Sequence, residues 1–248
     1  MWRWPTFNGD GHLDLVTNNY SVLLGNGDGT FRASAFHSSD SNSYNVVTGD
    51  FNGDGKADFA TSRYDGNIGI WLGNGDGTFQ PVVLVPIAAA PKGLVAADFN
   101  HDGITDLAVA SRQGPMVGIG VLLGNGDGTF RPVVTYTPGT HQTALSVADF
   151  NLDGNADIVA VDSDDITAPV TILLGNGDGT FRSTGQTYNA VFPEAVAVGD
   201  FNRDGKPDFV AANFGPNQLQ VFLGNGDGTF QQTPVVLPTL SLMALLVG

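Results

Sequence analysis

The chain has no cysteine, which removes disulfides, thiolate metal ligation and cysteine nucleophiles together. Glutamate is nearly missing too: Glu194 is the single glutamate among 25 acidic residues. Aspartate is poor in helices and strands but good in turns and metal loops, so the acidic charge belongs to connections. Basic residues number only ten, and the formal net charge is −15. A chain so poor in Lys and Arg is not expected to bind nucleic acid, because such binding rests on phosphate neutralisation. The closing run Leu240 to Val247 falls far short of the ~20 apolar residues needed to span a bilayer, so no membrane insertion is expected. Met1-Trp2-Arg3-Trp4-Pro5 has no apolar centre of the kind a secretory leader carries, which places any such signal outside this chain. No segment shows sustained helical periodicity with caps.

What the chain does have is repetition. It is 248 residues long, 42% hydrophobic, and contains 34 glycines. Two motifs each recur five times. The first reads D-F-N-x-D-G-x-x-D at Asp50 to Asp58, Asp98 to Asp106, Asp149 to Asp157 and Asp200 to Asp208, with a degenerate copy from Thr6 to Asp14. The second reads L-G-N-G-D-G-T-F and ends at Phe31, Phe79, Phe130, Phe181 and Phe230. The same spacing separates Phe31 from Asp50, Phe79 from Asp98, Phe130 from Asp149 and Phe181 from Asp200. Variation in repeat length therefore falls between the last Asp of a loop and the Gly that opens the next turn.

Each repeat divides into four apolar runs of strand length, A to D, separated by turn signals. In the second repeat these are Asn45 to Phe51, Ala57 to Ser62, Ile68 to Leu72 and Thr78 to Val85. The Asp-rich loop joins A to B, and the Asn-Gly-Asp-Gly turn joins C to D as a hairpin. Four antiparallel strands at a period near ~50 residues describe a propeller blade. The expected fold is all-β, a single domain over 1–248 forming a β-propeller of five four-stranded blades. The repeats fall at about 1–42, 43–91, 92–141, 142–192 and 193–238, with 239–248 as an extra inner strand. That strand either closes the ring by completing the first blade, or the chain is a fragment of a larger propeller.

The first motif has the chemistry of a calcium loop. Alternate oxygen-bearing side chains, a glycine-permitted turn, a free carbonyl and a closing carboxylate reproduce the logic of an EF-hand loop with its last ligand arriving early. The candidate ligands are Asn8, Asp10, His12 and Asp14 in the first loop, and Asp50, Asn52, Asp54, Lys56 and Asp58 in the second. They continue with Asp98, Asn100, Asp102, Ile104 and Asp106, then Asp149, Asn151, Asp153, Asn155 and Asp157, then Asp200, Asn202, Asp204, Lys206 and Asp208. His12, Lys56, Ile104, Asn155 and Lys206 share no side-chain chemistry, as expected where only a carbonyl is used. Oxygen-only ligation favours Ca²⁺ over Zn²⁺, which calls for His or Cys. About five Ca²⁺ sites follow, the first weakened because Thr6 replaces the leading Asp.

On these motifs the sequence resembles the FG-GAP/VCBS repeat family, found in integrin α-chain propellers, bacterial secreted proteins and fungal lectins. The resemblance covers essentially the whole chain. It implies Ca²⁺-binding loops, a propeller usually of seven blades, and a secreted or cell-surface location.

Because strands alternate, A–B and C–D connections share one face and B–C and D–A connections the other. The second face carries varied segments, including Tyr64-Asp65-Gly66-Asn67, Arg112 to Met116, Asp162-Ser163-Asp164-Asp165 and Asn213 to Pro216. Binding usually sits on variable loops over a rigid scaffold. Tyr64, Phe192 and Phe214 are aromatic candidates for sugar stacking. The leading functional expectation is a monomeric, non-enzymatic, extracellular adhesion or recognition module for a protein or carbohydrate. The alternatives are a structural spacer within a larger secreted protein, or the propeller domain of a polysaccharide-active enzyme. No nucleophile elbow or phosphate loop is present, and the four histidines sit in unrelated contexts.

Overall fold

The computed structural model describes residues 6–36, 43–87, 90–114, 116–136, 141–163, 168–186, 188–213, 217–231 and 235–238. Among them every regular element is a strand, and these form five antiparallel sheets in chain order. The first sheet contains β1 (Leu15–Val16), β2 (Val22–Gly25) and β3 (Phe31–Ala33). The second contains β4 (Ser43–Gly49), β5 (Asp58–Arg63), β6 (Asn67–Trp71) and β7 (Val83–Pro86), and the third β8 (Pro91–Ala97), β9 (Asp106–Ser111), β10 (Gly118–Leu122) and β11 (Val134–Tyr136). The fourth contains β12 (Gln142–Ala148), β13 (Asp157–Asp162), β14 (Ala168–Gly175), β15 (Phe181–Ser183) and β16 (Tyr188–Ala190), and the fifth β17 (Pro193–Gly199), β18 (Asp208–Asn213), β19 (Gln218–Phe222) and β20 (Val235–Pro238).

Within each sheet consecutive strands pair as a meander, except that β16 of the fourth sheet pairs with β14. The A strands stack on one another, β4 on β8, β8 on β12 and β12 on β17. Their small and branched residues, such as Leu94-Val95-Ala96-Ala97, permit that close approach. The D strand begins later than its sequence pattern suggests. In the second repeat Phe79 makes only an isolated bridge to Gly73, and pairing resumes at Val83. Pro81 lies in the gap and has no N–H to give the ladder. In the fourth repeat the same strand is broken into β15 and β16, both on β14, with Gly185 in a left-handed conformation between them. Residues 1–5 and the strand expected at 239–248, which would complete the first blade, lie outside the described residues.

The hydrophobic cores sit between sheets. Side chains along the B strands of the second, third and fourth sheets alternate between two cores, as the period of two requires. Leu107 and Val109 pack toward the second sheet with Ile68, Ile70 and Phe51, whereas Ala108 and Ala110 pack toward the fourth with Ile158 and Leu173. Five sheets thus enclose four apolar layers, and the first of these is aromatic, with Phe59 stacked on Trp71 and Phe7 edge-on to Phe79.

Candidate functional site

Each Asp-rich loop is built from its own oxygens and amides. In the second loop, Asp50 accepts hydrogen bonds from the N–H groups of Asp54 and Gly55, and Asn52 accepts from Asp54 N–H at 3.1 Å. Asp54 in turn accepts from Lys56 N–H at 2.9 Å. The third, fourth and fifth loops repeat this pattern through Asp98, Asp149 and Asp200. The first loop lacks the leading acceptor, and the buried Thr6 hydroxyl that stands in its place has no hydrogen-bond partner.

The loop backbone is left-handed at its fourth and sixth positions. Glycine occupies the sixth throughout, with φ between 79° at Gly55 and 89° at Gly154. The fourth position is also left-handed where it is not glycine, at His101 (φ 59°), Leu152 (58°) and Arg203 (61°). Such a conformation costs an ordinary residue about 1–2 kcal/mol, so the loop shape is maintained against local strain.

The ninth-position aspartates behave differently from the rest. Asp58 is completely buried, one oxygen accepting from Phe51 N–H at 2.9 Å and the other from Gly73 N–H at 2.7 Å. Asp14, Asp106, Asp157 and Asp208 make the same pair of bonds in their own sheets. Each therefore staples the A–B loop to the start of the C–D hairpin. The hairpin glycine cannot be replaced there, because a Cβ on Gly73 would lie 2.2 Å from the Ala57 carbonyl. Desolvation pushes Asp58, Asp106 and Asp157 up to about 6, with neighbouring loop aspartates adding repulsion and the two amide bonds opposing it.

Seventh-position side chains diverge as their sequences do. Lys56 and Lys206 form exposed ion pairs with Asp54 and Asp204 at 3.2 and 3.9 Å. Asn155 meets His101 of the preceding loop at 2.8 Å. The donor set of each loop is all oxygen and suits a hard cation, but its oxygens are engaged with loop amides. Among the described residues no three His, Asp or Glu side chains gather closely enough to hold a metal.

The Asn-Gly-Asp-Gly turns close on themselves. Asp76 accepts from both the N–H and the hydroxyl of Thr78, and Asn74 donates to that hydroxyl at 2.8 Å. These bonds, the Thr78 hydroxyl foremost, hold the Asp76 carboxyl below its usual range. Four of the five turns also reach the preceding repeat. Gly77, Gly128, Gly179 and Gly228 donate to the carbonyls of Phe7, Phe51, Phe99 and Phe150 at 2.9–3.0 Å. No spacing in the sequence signals this second bond, because its partners lie in different repeats at separations that vary from one junction to the next.

The opposite face holds a groove between the second and third sheets, about 520 Å³ in volume, lined by Tyr64, Asp65, Asn67, Pro86, Ala90 and Gln113. Tyr64 is exposed and pairs with Tyr44 at 4.0 Å between ring centroids, and the Lys92 ammonium lies 5.6 Å from the Tyr44 ring. Arg63 holds Asp65 at 2.8 Å. Asp162, expected in one of the variable segments of this face, is the buried last residue of β13 and accepts from His141 N–H at 2.9 Å, which makes it part of the scaffold. Phe192 is half-buried, and Phe214, Asp164 and Asp165 lie outside the described residues.

These features define an all-β array of antiparallel sheets in which a repeated Asp-rich loop and a repeated hairpin share one face. The chain belongs to the FG-GAP-like repeat family, whose model matches at residues 7–61, 50–109, 98–160, 149–211 and 200–245. Among curated proteins, none matches by sequence. Similar solved structures include an Agrocybe aegerita lectin that recognises non-reducing terminal N-acetylglucosamine, 22% identical, covering 96% of this chain and 66% of that one with a TM-score of 0.59. The Pseudomonas aeruginosa periplasmic gluconolactonase PpgL is 17% identical, covering 89% of this chain and 64% of that one at a TM-score of 0.63. BBS1N, solved in complex with ARL6DN, is 18% identical and covers 79% of this chain and 54% of that one at a TM-score of 0.53. The chain spans less than two thirds of the length of each.

Proposed function

We propose that the chain is a run of five blades of a calcium-binding β-propeller, acting outside the cell as a non-catalytic recognition module for a carbohydrate or protein. The observation that carries the calcium reading is the fivefold loop, which retains left-handed backbone at His101, Leu152 and Arg203 and presents only oxygen donors. In each loop the first, third and fifth positions, for example Asp50, Asn52 and Asp54, would supply side-chain oxygens, and the buried ninth aspartate its remaining lone pairs. The cation would neutralise adjacent carboxylates and brace the A–B connection. The recognition reading is supported by the groove beside Tyr64, whose volume lies in the range of small-ligand sites and whose lining mixes aromatic and polar groups. The likeness to an N-acetylglucosamine-recognising lectin favours carbohydrate.

Calorimetric titration of metal-free protein with Ca²⁺ tests the first part, with four sites of one class and a weaker fifth expected. No heat at millimolar Ca²⁺ would remove calcium from the reading. A glycan array run with wild type and Tyr64→Ala tests the second, and binding that survives the substitution would move the ligand elsewhere. Turnover of a sugar lactone would overturn the non-catalytic assignment.

A further inference from the structure

The groove between the second and third sheets carries its charge in a closed form. One oxygen of the Asp65 carboxylate accepts from the backbone N–H and Nδ2 of Asn67 at 3.2 and 3.0 Å, and the other from Nε and Nη2 of Arg63 at 3.0 and 2.8 Å. A carboxylate has about four acceptor positions, so this one is filled. Asp65 is the only charged side chain among the described residues that line the groove, and the Arg63 guanidinium neutralises it. The Lys92 ammonium lies over the Tyr44 ring and does not line the groove.

What the groove leaves open is uncharged. An ionised carboxylate cannot donate, so the Asn67 amide turns its nitrogen toward Asp65 and keeps its carbonyl oxygen for another partner. Gln113 is exposed, and its backbone carbonyl accepts from Ala90 N–H at 3.2 Å and from the Ser111 hydroxyl at 3.0 Å. Those bonds fix its backbone and use neither end of its side-chain amide. On the second-sheet wall, Ile87 N–H donates to the Gly66 carbonyl at 3.3 Å. Tyr64 is 54% exposed and is propped by Tyr44, the extra residue of a bulge where pairing of β4 with β5 jumps from Ser43 to Asn45.

Given the carbohydrate reading above, on which this rests, we propose that the groove takes an uncharged pyranose, one face of the sugar lying on the Tyr64 ring and its hydroxyls shared between the Asn67 carbonyl and the Gln113 amide. Sugar hydroxyls both donate and accept, as a primary amide does, so the match is made without stripping water from a charge. The C–H face of a pyranose supplies apolar surface to the ring. A uronate, sulfate or sialate finds no unpaired cation in the lining and approaches a chain of net charge −15, so acidic sugars are rejected.

The test is a glycan array divided into neutral and acidic glycans, probed with wild type, Tyr64→Ala and Gln113→Ala at low and high salt with Ca²⁺ present throughout. Both side chains are exposed, so the three proteins should share one thermal midpoint. Wild type should retain neutral glycans only, equally at both salt concentrations, because no ion pair with the ligand is there to be screened. Gln113→Ala should weaken that retention roughly two- to tenfold, as loss of a hydrogen bond to a neutral group does, and Tyr64→Ala should abolish it. Acidic glycans retained through Tyr64 and released by salt would overturn the neutral assignment while leaving carbohydrate recognition in place. Neutral retention that ignores both substitutions would also overturn it, by putting the sugar elsewhere. Wild type that retains neither class would remove the carbohydrate reading itself, and this inference with it.

Discussion

At the scale of single residues, the buried Asp58, Asp106 and Asp157 and the five hairpin aspartates have opposite pH behaviour. The ninth-position acids satisfy two amides each, and a buried amide left unpaired costs about 1–3 kcal/mol. Asp106→Ala leaves Phe99 and Gly124 unpaired and should lose roughly 3 kcal/mol in urea unfolding. Asp127→Ala, on an exposed hairpin, should lose much less. Asp58, Asp106 and Asp157 are raised to about 6 in the folded state, mainly by desolvation, so the unfolded chain ionises first. Their contribution is complete below the ordinary carboxylate value of 3.8 and is lost as pH rises to about 6. The hairpin acids Asp28, Asp76, Asp127, Asp178 and Asp227 are lowered, first by their Thr hydroxyls, so what they contribute is lost as pH falls below 3.8. Metal-free protein should therefore show its highest thermal midpoint near pH 4 and decline toward pH 6. A midpoint that climbs steadily over that range would contradict the assignment.

At the scale of elements, the junction between repeats is the unit that matters, because each apolar layer needs two sheets to form it. A Cβ on Gly228 would meet Leu174 at 2.8 Å, whereas a Cβ on Gly29 would meet nothing within 4 Å. Both glycines have φ above 80°, so alanine at either position carries the same left-handed penalty of about 1–2 kcal/mol. Gly228→Ala should be destabilising beyond Gly29→Ala by about 1–3 kcal/mol, the range for overpacking a filled site. Equal losses in thermal unfolding would mean that the inter-repeat contact adds nothing.

At the scale of the whole molecule, stability should follow calcium if the loops are its sites. A cation that binds the folded chain alone at a hundredfold its dissociation constant contributes about 2.7 kcal/mol per site. The unfolding midpoint should rise between metal-free buffer and millimolar Ca²⁺, and an unmoved midpoint would count against the loops. Thr6→Asp should strengthen the first site specifically, since the present Thr6 hydroxyl is buried without a partner and the equivalent Asp50 accepts from two loop amides. If all sites titrate identically before and after the change, the first loop is not the weak one.

The sequence by itself determined the number of repeats, the order of strands within them, the turn chemistry of Asn-Gly-Asp-Gly and the all-oxygen character of the loops. Each follows from local spacing: residues two, four or eight positions apart are held together by backbone geometry whatever surrounds them. It also separated the two faces, because strand alternation is a local rule. Only the tertiary structure decided which carboxylates serve the scaffold. Asp58 and Asp162 look like their neighbours in sequence, yet burial and the amides of Phe51 and Gly73 for the one and His141 for the other make them staples. The exposure of Leu15, Phe31 and Phe201 was equally invisible, since each copies a motif whose other instances are buried or half-buried. Burial depends on whether another sheet lies alongside, and no local pattern encodes that.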